Sequence, residues 1–268
     1  MSDWRLIMGP GTTDDDLAAG GALNMAVDEA LLRSVERGSR PSLRFYTWSP
    51  ACLSLGRNQH ARGVYDPGRA AAAGIDIVRR PTGGLAVLHD RELTYSVAAP
   101  LAPFGGPRAA YAAINRALLE GLREAGIPAE QAAAGRSRGP VRDSAEPCFH
   151  APAPGEVVAR GLKLVGSAQR CEHGAFLQHG SILLAGSQSR VGELLGTGTA
   201  QPGPTTSITL QDLLGSEPPP APLIRALGAG FERLFGTRLA PDRLTRDESA
   251  TVQRLALRYA GGDWTWRR

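Results

Sequence analysis

Lysine is nearly absent from this chain: of its 30 basic residues all but Lys163 are arginine. Cysteine is scarce as well. Cys52, Cys148 and Cys171 are odd in number, widely spaced and without a Cys-x-x-Cys pair, which argues against a disulfide framework and a zinc site. Aromatic residues make up only 6% of the chain and the arginines are dispersed among other residue types, a poor match to a nucleic-acid-binding surface. No apolar run approaches the ~18 to 20 residues that a membrane span needs. The opening Met1-Ser2-Asp3-Trp4-Arg5 lacks the basic-then-apolar pattern of a signal peptide. The expectation is a cytoplasmic protein with no membrane partner.

What is present fits an ordinary globular protein: 268 residues, 42% hydrophobic and 21% charged. That length supports one large or two small domains. A net charge of +4 and a pI of 9.3 favour an acidic protein partner or a phosphorylated ligand over nucleic acid.

Apolar residues at helical spacing predict helices over 21–38 and 108–125, with Gly38 and Gly126 as stops. A short alanine-rich helix is expected over 66–73. Strand-like runs occupy 42–48, 52–55, 75–80, 84–89, 93–98, 156–160, 162–170 and 174–184. After Leu184 the pattern turns helical, near 188–195, 210–214, 221–235 and 247–260, with Thr206 or Ser207 available as a cap. The expected fold class is α+β. A single catalytic domain spans 1–268, with a mixed or antiparallel sheet core over 1–200 and a C-terminal helical segment over 201–268. The small, polar, proline-rich stretch 131–154 reads as a functional loop.

Two segments carry candidate chemistry. Arg79-Arg80-Pro81-Thr82-Gly83-Gly84-Leu85-Ala86-Val87-Leu88-His89 brings two arginines, a Gly-Gly turn and an imidazole together. Paired glycines let a ligand oxygen approach main-chain N–H groups, while the arginines supply charge. Taken alone, the same residues also describe a glycine hairpin with solvated arginines. The second segment is Gly161-Leu162-Lys163-Leu164-Val165-Gly166-Ser167-Ala168-Gln169, followed by Leu177-Gln178-His179-Gly180-Ser181-Ile182. Strand alternation sets Lys163, Val165 and Ser167 on one face and Leu164, Gly166 and Ala168 on the other. His179 reads either as a site residue or as a core histidine with a backbone partner. Lysine, unlike arginine, can act as acid, base or nucleophile when burial lowers its pKa. Cys52 and Cys171 read as structural thiols, whereas Cys148 sits among polar neighbours in the proline-rich loop.

Together with Asn24-Met25-Ala26-Val27-Asp28-Glu29, these stretches resemble the biotin/lipoate ligase and lipoyl/octanoyl transferase superfamily over residues 20 to 200. The Cys148-Phe149 pair ahead of Lys163 is most similar to cysteine-dependent octanoyltransferases of the LipM type. Gly56-Arg57-Asn58-Gln59 instead follows the ligase form of its turn, and Leu85 breaks the longer glycine or arginine pattern. A chain ending at Arg268 is shorter than ligases that carry an accessory domain.

The resemblance implies that Cys148 and Lys163 are catalytic, and that Arg79, Arg80, Thr82, Gly83, Gly84, Ala86, His89, Gly166, Ser167, Ala168, His179 and Gly180 bind substrate. No metal or cofactor is implied. The implied donor is octanoyl-acyl carrier protein. The acceptor is a lysine of a lipoyl-domain protein, such as the glycine cleavage H protein or a 2-oxoacid dehydrogenase E2 subunit. His89, His150 and His179 are alternatives to Lys163 as the base. Competing readings are an ATP-dependent lipoate ligase, an octanoyl amidotransferase and a non-catalytic acyl-carrier-binding protein.

Overall fold

The computed structural model describes residues 3–12, 16–132, 155–196 and 206–268. In chain order the strands are β1 Trp4–Met8, β2 Ala18–Ala19, β3 Ser42–Trp48, β4 Cys52–Leu55, β5 Asp76–Arg79, β6 Val87–His89, β7 Glu92–Pro100, β8 Glu130–Gln131, β9 Val157–Ala159, β10 Leu162–Lys163, β11 Val165–Glu172, β12 Ala175–Leu183 and β13 Leu239–Pro241. The helices are α1 Gly21–Glu36, α2 Pro67–Ala72, α3 Pro107–Glu124, α4 Leu210–Leu214, α5 Pro220–Phe235, α6 Arg246–Ala260 and α7 Gly262–Thr265.

The main sheet runs β11-β12-β7-β3-β1-β13, and β2 joins it beside β3. Pairing is antiparallel from β11 to β3 and parallel from β3 through β1 to β13. Helices cover both faces, so β7 and β12 lie almost wholly inside, polar residues included: Glu92, Thr94 and Ser96 on β7 and Gln178, His179 and Ser181 on β12 are all buried. On one face α3 and α5 bury Ile114, Leu118, Leu122, Leu227 and Phe231 against Phe45, Tyr95 and Val97. On the other, α1 and α6 bury Met25, Leu31, Leu255 and Tyr259 against Tyr46, Trp48 and Leu177.

The α3–α5 crossing depends on missing side chains. A Cβ on Gly121 would lie 2.5 Å from the Leu227 Cα, and one on Gly230 2.5 Å from the Ala117 carbonyl oxygen. Two smaller sheets, β5-β4-β6 and β10-β9-β8, flank the main one. The third apolar cluster, with Leu53, Leu55, Ala86 and Leu88, lies against β4 and β6.

Most predicted elements appear within a few residues of their expected ends. Four short strands, β1, β2, β8 and β13, were not anticipated. β13 changes the picture of the C-terminal segment, because it pairs in parallel with β1 and so extends the main sheet. Residues Gln188–Leu194 form a 3-10 helix rather than an α-helix. The cap of α4 is Thr209, in a reciprocal capping box with Asp212. Thr206 and Ser207 instead strap onto Lys163: Lys163 N–H donates to the Thr206 carbonyl at 3.1 Å, and Ser207 forms a parallel bridge with Lys163.

Candidate active site

A buried chain of polar side chains runs under the centre of the main sheet. Ser96 and His179 are cross-strand partners on β7 and β12, so their side chains point to the same face, toward α1. Asp28 on α1 meets them. Its Oδ1 accepts from Arg44 Nη1 at 2.6 Å and Ser96 Oγ at 2.8 Å. Its Oδ2 accepts from Tyr46 OH at 2.8 Å and pairs with His179 Nδ1 at 2.9 Å. Burial pushes the Asp28 carboxyl up, but Arg44 and His179 outweigh it and hold it below the usual carboxylate range. Burial pulls the His179 imidazole below its ordinary value despite Asp28. The other ring nitrogen, Nε2, lies 2.6 Å from Thr82 Oγ1. An imidazole bonded on both nitrogens is fixed in orientation, so His179 presents a defined edge to the cavity beside it.

A second chain lies next to the first. His89 Nδ1 is 2.8 Å from Glu92 Oε1, and its Nε2 is 2.7 Å from Ser54 Oγ. Arg80 Nη1 donates to Ser54 Oγ at 3.0 Å and to the Ser54 carbonyl at 2.9 Å. Trp48 stacks on the His89 ring with centroids 4.0 Å apart, and donates through Nε1 to Thr94 Oγ1 at 2.7 Å. Both chains border one narrow slot, walled by Met25, Trp48 and Val87 and by Gly166, His179 and Gly180. Its volume is about 30 Å³. The slot is therefore narrow, one side chain in width. Gly180 has no room for a side chain: an added Cβ would stand 2.4 Å from the Gly166 carbonyl oxygen and 2.8 Å from Tyr95 Cε1.

Lys163 lies on a separate sheet. The strand breaks at Leu164, leaving Lys163 on β10 and Gly166, Ser167 and Ala168 on β11. The predicted alternation from Lys163 therefore does not carry across, and Leu164 and Val165 both enter the core. Lys163 is only 2% exposed, with Nζ 3.0 Å and 2.9 Å from the two carboxylate oxygens of Glu156. Glu156 also accepts from Tyr111 OH at 3.4 Å, and the same hydroxyl reaches the Ser167 carbonyl at 3.5 Å. Tyr111 thus links the lysine's counter-ion to the slot. Ala132 and Glu156 are bonded through the main chain, as are Gly155 and Ala132, fixing both flanks of 133–154 beside this ion pair.

Of the predicted site residues, Arg80, His89, Gly166, Ser167, Ala168, His179 and Gly180 line the slot, and Thr82 supports it through His179. Cys148 and His150 lie outside the described residues. Arg79 differs from the expectation. It is fully buried and clamps main-chain carbonyls of Gly56, Gln59 and Thr265, so it braces the turn instead of lining the slot. Gly83 and Gly84 also do not line it: the Gly83 carbonyl accepts from Arg80, and Gly84 takes a φ of +94°. A Cβ on Gly56 would strike the Gly84 oxygen, so Gly56 allows the close main-chain approach, while Gly84 is required by its positive φ. Ala86 faces the third apolar cluster.

Sequence reasoning missed Ser54, Glu92, Glu156 and Asp28 as site residues. A signal existed for Asp28, a carboxylate among Ala26, Val27, Ala30 and Leu31 on a helix buried nearly all round. Glu156 gave none, since its partner depends on the fold of β9 against β10. Cys52 is buried as expected, its thiol pushed well up by burial. Cys171, expected to be structural, is exposed on the edge strand β11.

Among the described residues no helix is long and apolar enough to cross a membrane. Residues 21–232 match the lipoyl protein ligase A/B catalytic domain. The chain is 38% identical over 283 residues to the octanoyltransferase LipM of Kyrpidia tusciae, covering all of both chains. It is 35% identical to the octanoyltransferase LipM of Staphylococcus aureus, covering 91% of this chain and 94% of that one. A lipoate-protein ligase A crystallised with ATP shares the fold, with a TM-score of 0.79 at 23% identity over 98% of each chain. The bipartite lipoate protein ligase of Thermoplasma acidophilum does so with a TM-score of 0.75 at 22% identity, over 99% of this chain and 97% of that one. The chain belongs to the lipoyl protein ligase A/B catalytic domain family.

Proposed function

We propose that this protein is a cysteine-dependent octanoyltransferase of lipoyl cofactor assembly, carrying octanoate from acyl carrier protein to a lysine of a lipoyl-domain protein. The observation that carries this reading is the full-length likeness to LipM octanoyltransferases, joined to a buried Lys163–Glu156 pair held beside the flanks of the Cys148 segment. Cys148 stands seven residues ahead of Gly155, a span of at most about 25 Å when fully extended.

In the first half-reaction the Cys148 thiolate attacks the donor thioester carbonyl, forming a new C–S bond while the bond to the carrier's sulfur breaks, and the Lys163 ammonium gives its proton to the departing thiolate. A free thiol is mostly protonated at neutral pH, with a pKa of ~8.5, and the Lys163 ammonium favours its thiolate. Octanoate lies in the slot against Met25, an unbranched side chain that adapts its shape easily. In the second half-reaction the acceptor amine attacks the Cys148 thioester. An amide bond forms, the C–S bond breaks to return the Cys148 thiolate, and the amine's proton passes to Lys163, which gave up its own in the first half-reaction and regains its charge beside Glu156. The acceptor is a lipoyl domain of an H protein or E2 type.

The deciding experiment incubates the protein with octanoyl-acyl carrier protein in the absence of ATP and reads its intact mass. An octanoyl adduct lost in Cys148→Ser is expected. No adduct, with modification of a lipoyl domain from free lipoate and ATP, would establish a ligase instead. Binding without any reaction would reduce the protein to an acyl-carrier-binding role.

A further inference from the structure

One group of arginines gathers around Trp264 and the turn at Arg57. Arg57, Arg62, Arg267 and Arg268 make no ion pair with a side-chain carboxylate among the described residues, whereas Arg33, Arg91, Arg190 and Arg233 each do. Arg57 and Arg267 meet directly, the Arg267 guanidinium donating to the Arg57 carbonyl. Each also carries a buried nitrogen with no hydrogen-bond partner, Nη1 of Arg57 and Nε of Arg267. Buried guanidinium donors are normally satisfied, and each exception calls for a reason.

The group is built rather than incidental. Trp264 is held between two guanidinium groups, Arg258 at 3.8 Å and Arg267 at 4.1 Å from its ring, and donates through Nε1 to the Arg79 carbonyl at 2.8 Å. The Arg268 main-chain oxygen is fixed by the N–H groups of Ala61 and Arg62, both at 3.1 Å. Burial and the neighbouring Arg57 and Arg268 together pull Arg267 below its ordinary value. The same crowding, with burial foremost, brings Arg79 down to about 10. Like charges held together this way are stabilised by an anion. The patch is linked to the slot through one residue: Arg57 N–H donates to the Thr82 carbonyl at 2.8 Å, and Thr82 bonds His179, which lines the slot.

We propose that Arg57 and Arg267, with Arg268 beside them, form a phosphate subsite that receives the phosphodiester of the donor's phosphopantetheine arm. Guanidinium groups match phosphate oxygens in geometry and charge, and Arg57 and Arg267 are adjoining and only partly buried, so a phosphate meets the accessible part of each guanidinium. A monoanionic ester on a long flexible arm reaches such a patch while its acyl end lies in the slot. The assignment rests on the acyl-carrier donor proposed above. A nucleotide offers the same phosphate chemistry, so the test separates the two sources.

The test measures binding to the full chain by calorimetry, without turnover, using 4′-phosphopantetheine, pantetheine and ATP in parallel. The expected result is that 4′-phosphopantetheine binds at least tenfold more tightly than pantetheine, and that Arg57→Gln and Arg267→Gln each remove most of this difference. Arg57→Lys and Arg267→Lys, which keep the charge, should retain part of it; circular dichroism checks that all four fold. Equal affinity for the two pantetheines, or a difference unmoved by the glutamine variants, overturns the subsite. Tight ATP binding lost in those variants, with no preference for 4′-phosphopantetheine, overturns the donor-arm assignment. Failure of Cys148 to acquire octanoate would sink the transferase reading while leaving this binding result readable.

Discussion

Glu156 grips Lys163 with both carboxylate oxygens, 3.0 Å and 2.9 Å from Nζ, where both side chains are almost wholly withdrawn from solvent. Replacing Glu156 by Gln leaves the ammonium buried without its carboxylate. The expected cost is about 3 kcal/mol of stability, read from urea unfolding, with transfer activity falling at least tenfold. Lys163→Met should abolish transfer yet lose less stability when combined with Glu156→Gln than the two single losses add up to. Additive losses would show that the pair is not coupled.

Met25 should govern acyl length. It is 1% exposed and forms one wall of the slot, so Met25→Ala widens the cavity at a cost of about 2–3 kcal/mol. The ratio of kcat/KM for decanoyl over octanoyl donor is expected to rise severalfold. An unchanged ratio would place the acyl chain elsewhere.

Acid should unfold the protein in two stages. His179 is held below its ordinary value, so the unfolded chain binds more protons here, and stability falls as pH drops below about 6.5. Glu248 is bound by Arg5 Nη1 at 2.6 Å and held down to about 2 from an ordinary 4.5. Its stabilisation is complete above about pH 4.5 and is lost as pH falls through about 2, amounting to about 3 kcal/mol. Urea midpoints between pH 8 and 3 should fall less steeply below pH 4.5 in Glu248→Gln. An identical slope would remove Glu248 from this account.

Alkylation should separate the thiols. Iodoacetamide under native conditions is expected to label Cys171, which is exposed, and to spare Cys52, which is fully buried. Peptide mass mapping reads the outcome, and label on Cys52 before unfolding would contradict the core packing around it.

Periodicity alone located the long helices and the central strands, because α1, α3, β7 and β12 bury large contiguous surfaces whose spacing is written in the chain. The short strands were illegible for the opposite reason. β13 is three residues long, and only its pairing with β1 makes it a strand. Site residues divide in the same way. His179 lies in a strand where alternation fixes its side, toward α1 and the slot, while its neighbour Gly180 faces the other way and borders the slot with its backbone. Arg79 and Arg80 are adjacent in sequence and both clamp main-chain carbonyls, and nothing local foretells that Arg80 also borders the slot while Arg79 does not. The partners of Asp28 come from β3 and β12, 16 to 151 residues away, a distance over which a single sequence carries no register.

The interruption at Leu164 separates two tasks that a continuous strand would have tied together. Lys163 moves with the small sheet β10-β9-β8, while the slot is fixed by β11, β12 and β7 in the large one. Val157 and Ala159, on the strand beside Lys163, share one apolar cluster with Tyr95, Val165 and Ile182, so the two sheets meet through packing and not through a common strand. The position of the amine and the shape of the slot are thus coupled by side chains, Tyr111 among them, and not by a single register.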